Sequence, residues 1–438
     1  MKFTKFGKAL LMSALSVAVV LSITSCVESY TVGFLYVTGT TTAQPSGNGI
    51  ISGFDIDHNT GKLHAINGLP ISSGGANPVR AVLITGSRFL YVLNRGVNST
   101  GGSVCTTADP CQNSNIQQFA VGGNGILTAQ ETFFTQGINP FRIISDSSGN
   151  YLYVLDHDAP SSAACALALG GTATSCGDIT AFQVNQTTGR LSLVVNAQVT
   201  SASGAALPYF PVPANPIDFV LSAGTVLTLS GTPATGDVSF PYNYNLNSGQ
   251  LTISQNSPQI LGIFQGTAIV NGVGYVYVLD NEPVTVNGTT SPSQILPYSV
   301  GSGGSLQALT GGPVPDDPTL ANPIALLVES KGKFLYVANQ GNNAQGVNPT
   351  SGIAGYVIDP STHQLSFIAG EPFGSGASPQ CIVEDPSAQF IYSADYDDSS
   401  VTGRVVDPNS GVLNNLRVTS TYPVQGPATW CLVDGRTS

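Results

Sequence analysis

The sequence predicts an all-β fold, a seven-bladed β-propeller with four-stranded blades, and three observations predict it. Gly (50) and Pro (28) are abundant among 438 residues while charged residues make up 9%, too few for long amphipathic helices or coiled coils. A short β-rich stretch recurs along the chain, and two further markers recur in step with it. Four-stranded units repeated radially close into a ring that leaves few exposed edges. Two other classes fall away. The 42% hydrophobic content excludes disorder, and a net charge of −11 argues against nucleic acid, whose phosphates need a basic face.

The chain opens on a targeting segment, residues 1–25, that takes no part in the fold. Lys2, Lys5 and Lys8 form a basic start, and Ala9 to Ser22 is an uninterrupted small and apolar run. At 14 residues this run is short for a membrane span of about 20. Ile23-Thr24-Ser25-Cys26 follows, and that order resembles the bacterial lipoprotein signal, which implies that Cys26 is lipidated as the first mature residue. We therefore expect residues 26–30 to be a tether to a membrane, the outer one in a Gram-negative host, and residues 31–438 to be an extracytoplasmic propeller. Loss of three lysines takes the mature charge from −11 to −14.

Six cysteines remain, an even number that suggests disulfides outside the cytoplasm. Cys105 and Cys111 bracket CTTADPC, Cys165 and Cys176 bracket a Gly/Ala/Thr-rich loop, and Cys381 with Cys431 completes the set. No two are two to four residues apart, so zinc is not expected.

The blades follow from the repeat. FLYV at 34–37 and 89–92, YLYV at 151–154, YVYV at 275–278, FLYV at 334–337 and FIYS at 390–393 share one pattern, with TVLT at 225–228 a weaker copy. Upstream lie Asn77-Pro78, Asn139-Pro140, Asn215-Pro216, Asn322-Pro323, Ser378-Pro379 and Gly426-Pro427, with Phe264 in the proline's place before Tyr275. Downstream, a turn ends in Leu63, Leu127, Leu191, Leu251, Leu306, Leu365 and Leu413. Removing a 25-residue leader and dividing by seven leaves about 59 residues per unit, enough for four strands and a long loop. Each unit reads as strand A after the proline, strand B at the LYV stretch, strand C, and strand D after the turn leucine. Strand C, as in Ile179 to Val184, alternates apolar and polar residues. The chain starts at strand B of blade one and ends in a strand A, Ala428 to Val433, so the C-terminus should supply the innermost strand of blade one.

Antiparallel blades place the short A–B and C–D turns on one rim and the long B–C loops on the other. Residues 94–115 and 156–178 are the longest of these, so the B–C end of the channel is where a site should lie. Gly39, Asn94, Asp156, Ser230, Asp280, Asn339 and Asp395 recur just after strand B, where Asn and Asp satisfy backbone groups at a turn. Arg80, Arg142, Asp218, Gly266, Ala325, Cys381 and Thr429 recur two residues after the proline. Arg80 and Arg142 in adjacent blades beside Asp218 are either an ion pair bridging blades or a guanidinium pair for a carboxylate, phosphate or lactone carbonyl. His157, between Asp156 and Asp158, is either an exposed loop histidine or a general base. His58, His64 and His363 fall at or near the opposite rim. Asp395, Asp397 and Asp398 read as a solvated acidic loop, without the spacing of a calcium site. No phosphate loop or nucleophile elbow appears, and no cofactor is implied.

Together the Asn-Pro, LYV and TG-x-L markers make the chain, from about residue 31 to 434, similar to the seven-bladed lactonase-type propellers, which include 6-phosphogluconolactonases. The resemblance implies this fold and, as a possible activity, hydrolysis of a sugar lactone. Active relatives carry Pro-Arg-His on an inner strand and Asp-Leu-Gly-x-Asp after an LYV strand. Here Pro140-Phe141-Arg142 and Asp156-His157-Asp158 stand in those places. Two functions follow as expectations. In one, a lactonase uses His157 to activate water, Arg80 and Arg142 to stabilise the oxyanion, and Asp218 to orient an arginine. In the other, a non-catalytic surface propeller binds a carbohydrate, peptide or protein at its long-loop rim. Under either reading the chain is expected to be monomeric.

Overall fold

The computed structural model describes residues 30–435, apart from 42–47, 85–87, 171–172, 343–350 and the single positions 202, 223, 233, 257, 273 and 287. Residues 1–29, which hold the expected leader, Cys26 and all but the last residue of the expected tether, lie outside the described residues. No helix among the described residues is long and apolar enough to cross a membrane.

Seven antiparallel sheets form the blades, each in the order D-C-B-A. In blade three these strands are Leu191–Leu193, Gly177–Val184, Tyr151–Asp158 and Ile138–Ser145. Blade one is completed by the C-terminal strand Ala428–Asp434, which pairs with Thr31–Thr40 from the start of the chain. The Cys381–Cys431 disulfide ties that closing strand to strand A of blade seven, and Cys105–Cys111 and Cys165–Cys176 close their local loops. In five blades a further short strand from the D-to-A connection also pairs with strand C.

The core is divided among the seven blade interfaces. Tyr151, Tyr153 and Leu155 of blade three pack on Phe219, Val226 and Tyr242 of blade four, while Leu152 and Val154 face Tyr91 and Leu93 of blade two. Strand B therefore buries both faces, which is why the LYV stretch is almost wholly apolar. A corresponding cluster fills each of the other interfaces.

Each sequence marker has a structural cause. Asn77, Asn139, Asn215, Asn322 and Ser378 adopt φ between 52° and 61°, a left-handed conformation that Asn tolerates better than most residues. All seven turn leucines are the first residue of strand D. The marker tyrosines lock neighbouring blades: the hydroxyls of Tyr36, Tyr153, Tyr336 and Tyr392 donate to the carbonyls of Gly125, Gly249, Gly411 and Gly61 at 2.7 to 3.0 Å. Tyr91 makes the same bond to Gly189. These turn glycines have φ of 66° to 77°, so the LYV and turn markers are two halves of one interlock.

The structure departs from the expected markers in two blades. In blade five, Gly266 faces Asp280 as Pro78 faces Asn94, so Gly266, not Phe264, takes the proline's place, and the A–B hairpin is two residues shorter. The Gly266 N–H donates to Asp237 Oδ2 at 2.7 Å, a bond proline could not make. In blade one Ala428 faces Gly39 and Trp430 faces Thr38. The inner-strand position two beyond these residues therefore belongs to Ala268 and Trp430, not to Gly266 and Thr429.

Candidate functional site

Every blade has a register break at the start of strand A, between Pro78 and Arg80 in blade two and at the corresponding point in the others. Such a bulge bends the strand and re-aims a side chain. In blades one to seven the residue just past it is Trp430, Arg80, Arg142, Asp218, Ala268, Ala325 and Cys381. Charge is confined to blades two, three and four. The structure brings Arg142 and Asp218 together, Nε to Oδ1 at 3.1 Å, with side chains 18% and 12% exposed. Asp218 Oδ2 also accepts the Ile269 N–H from blade five at 3.1 Å, so one carboxylate joins three blades.

Arg80 makes no ion pair among the described residues; its guanidinium lies 3.5 Å above the Trp430 ring. Trp430 is held by its indole N–H on the Ala81 carbonyl at 3.2 Å. Arg80 keeps some exposure in the lumen, yet protein surrounds it. Burial, then the charge on Arg142, push its pKa down from the usual value, and Asp218 offsets part of this.

A third cation, not among the residues that the repeat had singled out, stands beside these. Arg95 follows Asn94 at the end of strand B of blade two. Its Nε is buried without a hydrogen-bond partner. Burial and then Arg142 lower its pKa, with Asp158 opposing. A signal for it exists in the sequence: Thr40, Arg95, His157, Gly231, Asn281, Gln340 and Tyr396 occupy one repeat position, and only neighbouring blades two and three carry a basic side chain there.

His157 is half-buried, with Nδ1 3.1 Å from Asp158 Oδ2. Its ring centroid lies 6.4 Å from that of Phe141, over which the Arg142 guanidinium sits at 5.2 Å. His157 and Arg142 thus flank one aromatic ring at the B–C end. The other histidines lie elsewhere: His58 stacks on Tyr30, His363 stacks on Tyr275, and His64 is in strand D of blade one.

The carboxyls expected just after strand B lie within its last residues and are buried. Asp395 is not on a solvated loop as the sequence suggested; it is fully buried and accepts from Ser393 and Thr402, and burial lifts its pKa to about 7. In blade three, Asp156 and Asp178 face each other across strands B and C, both fully buried. Burial raises both, and the charge on Asp156 raises Asp178 further. Among the described residues no group of three His, Cys, Asp or Glu is placed to hold a metal.

A family model described as the seven-bladed β-propeller lactonase matches residues 48–206 and 298–432. Among solved structures, a putative 6-phosphogluconolactonase from Bacteroides fragilis superposes with a TM-score of 0.63 at 15% identity, covering 94% of this chain and 99% of its own. The periplasmic gluconolactonase of Pseudomonas aeruginosa does so with a TM-score of 0.63 at 18% identity, covering 92% and 99%. These identities speak for the fold. No curated protein matches by sequence.

Proposed function

The chain belongs to the seven-bladed β-propeller lactonase family, and on that basis we propose that it is a lipid-anchored, extracytoplasmic propeller that binds a sugar lactone or its acid at the B–C end of the channel and hydrolyses the lactone. The observation that carries the reading is the group of three arginines, Arg80, Arg95 and Arg142, in a chain of net charge −11. Among the described residues only Arg142 of the three pairs with a carboxylate, so the group is short of negative charge where a carbonyl oxygen or carboxylate would develop it. The likeness to a gluconolactonase described as periplasmic and the three disulfides support the compartment.

In this mechanism His157 takes a proton from water as the water oxygen adds to the lactone carbonyl. Arg80 and Arg142 stabilise the resulting oxyanion. Collapse breaks the ring C–O bond, and the leaving alkoxide takes the proton back from His157, giving the hydroxy acid. A second reading is a non-catalytic propeller that binds a carbohydrate, peptide or protein. It is favoured by Arg142, which stands where active relatives have histidine and already bonds Asp218 and the Phe141 carbonyl.

Hydrolysis of a panel of sugar and aliphatic lactones by the soluble body from Val27 onward decides between them. The lactonase reading expects His157→Ala to lose about a hundredfold or more in turnover, with Arg142→Ala also impaired. A folded protein that turns over no lactone, yet binds a sugar acid by calorimetry, establishes the second reading.

A further inference from the structure

We propose that the disulfide-closed loop Cys105–Cys111 is a strap from blade two that positions His157 of blade three through Asp158, an inference that rests on the role of His157 given above. The loop crosses the blade boundary with named bonds. Thr107 Oγ1 donates to Asp158 Oδ1 at 2.7 Å. Asn139 Nδ2 donates to Asp158 Oδ2 at 2.9 Å and to the Thr106 carbonyl at 3.3 Å. The Cys111 N–H donates to Asn139 Oδ1 at 2.7 Å. Both oxygens of Asp158 are thereby held, and Oδ2 is also the atom 3.1 Å from His157 Nδ1.

The strap is itself rigid. Its base is a two-way backbone bridge between Val97 and Gln112, at 3.3 and 2.8 Å. Asp109 accepts from the Ser99 N–H and hydroxyl at 3.0 and 3.1 Å, and the disulfide closes the tip. From the other side, the Cys165–Cys176 disulfide holds the end of the 156–178 loop, where the Ala159 N–H donates to the Cys176 carbonyl at 2.8 Å. Asp158 sits between two stapled loops. A carboxylate with a fixed rotamer holds its charge at a set place beside Nδ1 and so biases the orientation of the imidazole; a freely turning one cannot.

Thr107 is thus a positioning residue that acts through Asp158. The strap forms only once two thiols have lost two protons and two electrons to an oxidant, as in an oxidising envelope. The site would therefore be completed after export.

The test uses the mature soluble chain with Thr107→Val, Thr107→Ser and the double Cys105→Ser/Cys111→Ser variant. The reporter is the imidazole Cε1–H line of His157 in the proton NMR spectrum, assigned by its loss in His157→Gln. The strap expects the His157 line to shift in Thr107→Val and in the double variant, to return in Thr107→Ser, and those of His58, His64 and His363 to stay. Turnover in Thr107→Val should fall about tenfold, with the loss in kcat rather than KM. An unmoved His157 line in Thr107→Val overturns the strap whether or not any lactone is turned over. Movement of all four lines also overturns it, since the effect is then general. A His157 line that moves alone, in a protein that hydrolyses no lactone, supports the strap and removes the hydrolytic reading.

Discussion

Blades two to four and blades five to seven share one backbone plan but differ at the residue beyond the bulge. The first arc places Arg80, Arg142 and Asp218 there, and the second places Ala268, Ala325 and Cys381. The small residues of the second arc are buried in blade interfaces. The charged residues of the first build a network across blades. The repeat delivers the same address seven times, and the side chain placed there decides whether that address packs into an interface or carries charge across blades.

The largest test of that contrast is Arg142→Ala. It leaves Asp218 largely buried without its cation and should cost about 3 kcal/mol of stability in urea unfolding. Arg80→Ala removes a contact to a ring face rather than to a carboxylate, and should cost about 1 kcal/mol. Equal losses would mean that the ion pair contributes nothing special to the first arc.

Blades two and three differ in the same way at the end of strand B. Blade two pairs Asn94 with Asn115, Nδ2 to Oδ1 at 3.0 Å, and blade five pairs Asp280 with Gln294 at 2.7 Å. Blade three opposes two acids, Asp156 and Asp178. Their raised folded-state pKa values mean that the folded chain keeps protons the unfolded chain has lost. Stability from this source is complete below the ordinary carboxylate range near 4 and falls as pH rises through the folded values. Asp178→Asn should therefore raise stability by about 2 kcal/mol at pH 8 and change little at pH 4. Thermal unfolding at the two pH values measures this, and a loss at pH 8 would contradict it.

The smallest test concerns the blade interlocks. Tyr392→Phe leaves the Gly61 carbonyl without its donor and should cost about 1 kcal/mol. In blade six the turn glycine is replaced by His363, also left-handed at φ 56°, and no interlock bond from Tyr277 appears among the described residues. Tyr277→Phe should then be nearly neutral, and a cost as large as that of Tyr392→Phe would show that the hydroxyl matters for another reason.

Much of the blade plan is legible in the amino-acid sequence. The Asn-Pro and turn-leucine markers record local backbone requirements, a left-handed residue and a tight turn, whose energies are set within a few residues. Seven turn leucines, with six proline markers and one gap in step with them, mean seven blades, and a strand A that comes last in the chain means closure of blade one by that strand. The same local pattern misplaces Phe264 and Thr429, because a hairpin two residues shorter in blade five and a proline set one residue earlier in blade one shift register without changing the pattern of residue types. It also makes Asp395 look solvated, since burial depends on what the preceding crossover lays over it.

The site itself is legible only in part. Arg80, Arg142 and Asp218 share a repeat position, so their neighbourhood follows from counting. Arg95 belongs to a different repeat position and meets Arg142 only because two blades pack side by side. Trp430 reaches the Ala81 carbonyl across 349 residues of chain, a distance that only the closed ring removes. Local chemistry along the chain sets the blades and their order. Contacts between blades arise when burial of seven apolar interfaces closes the ring, and the charged arc exists only after that closure.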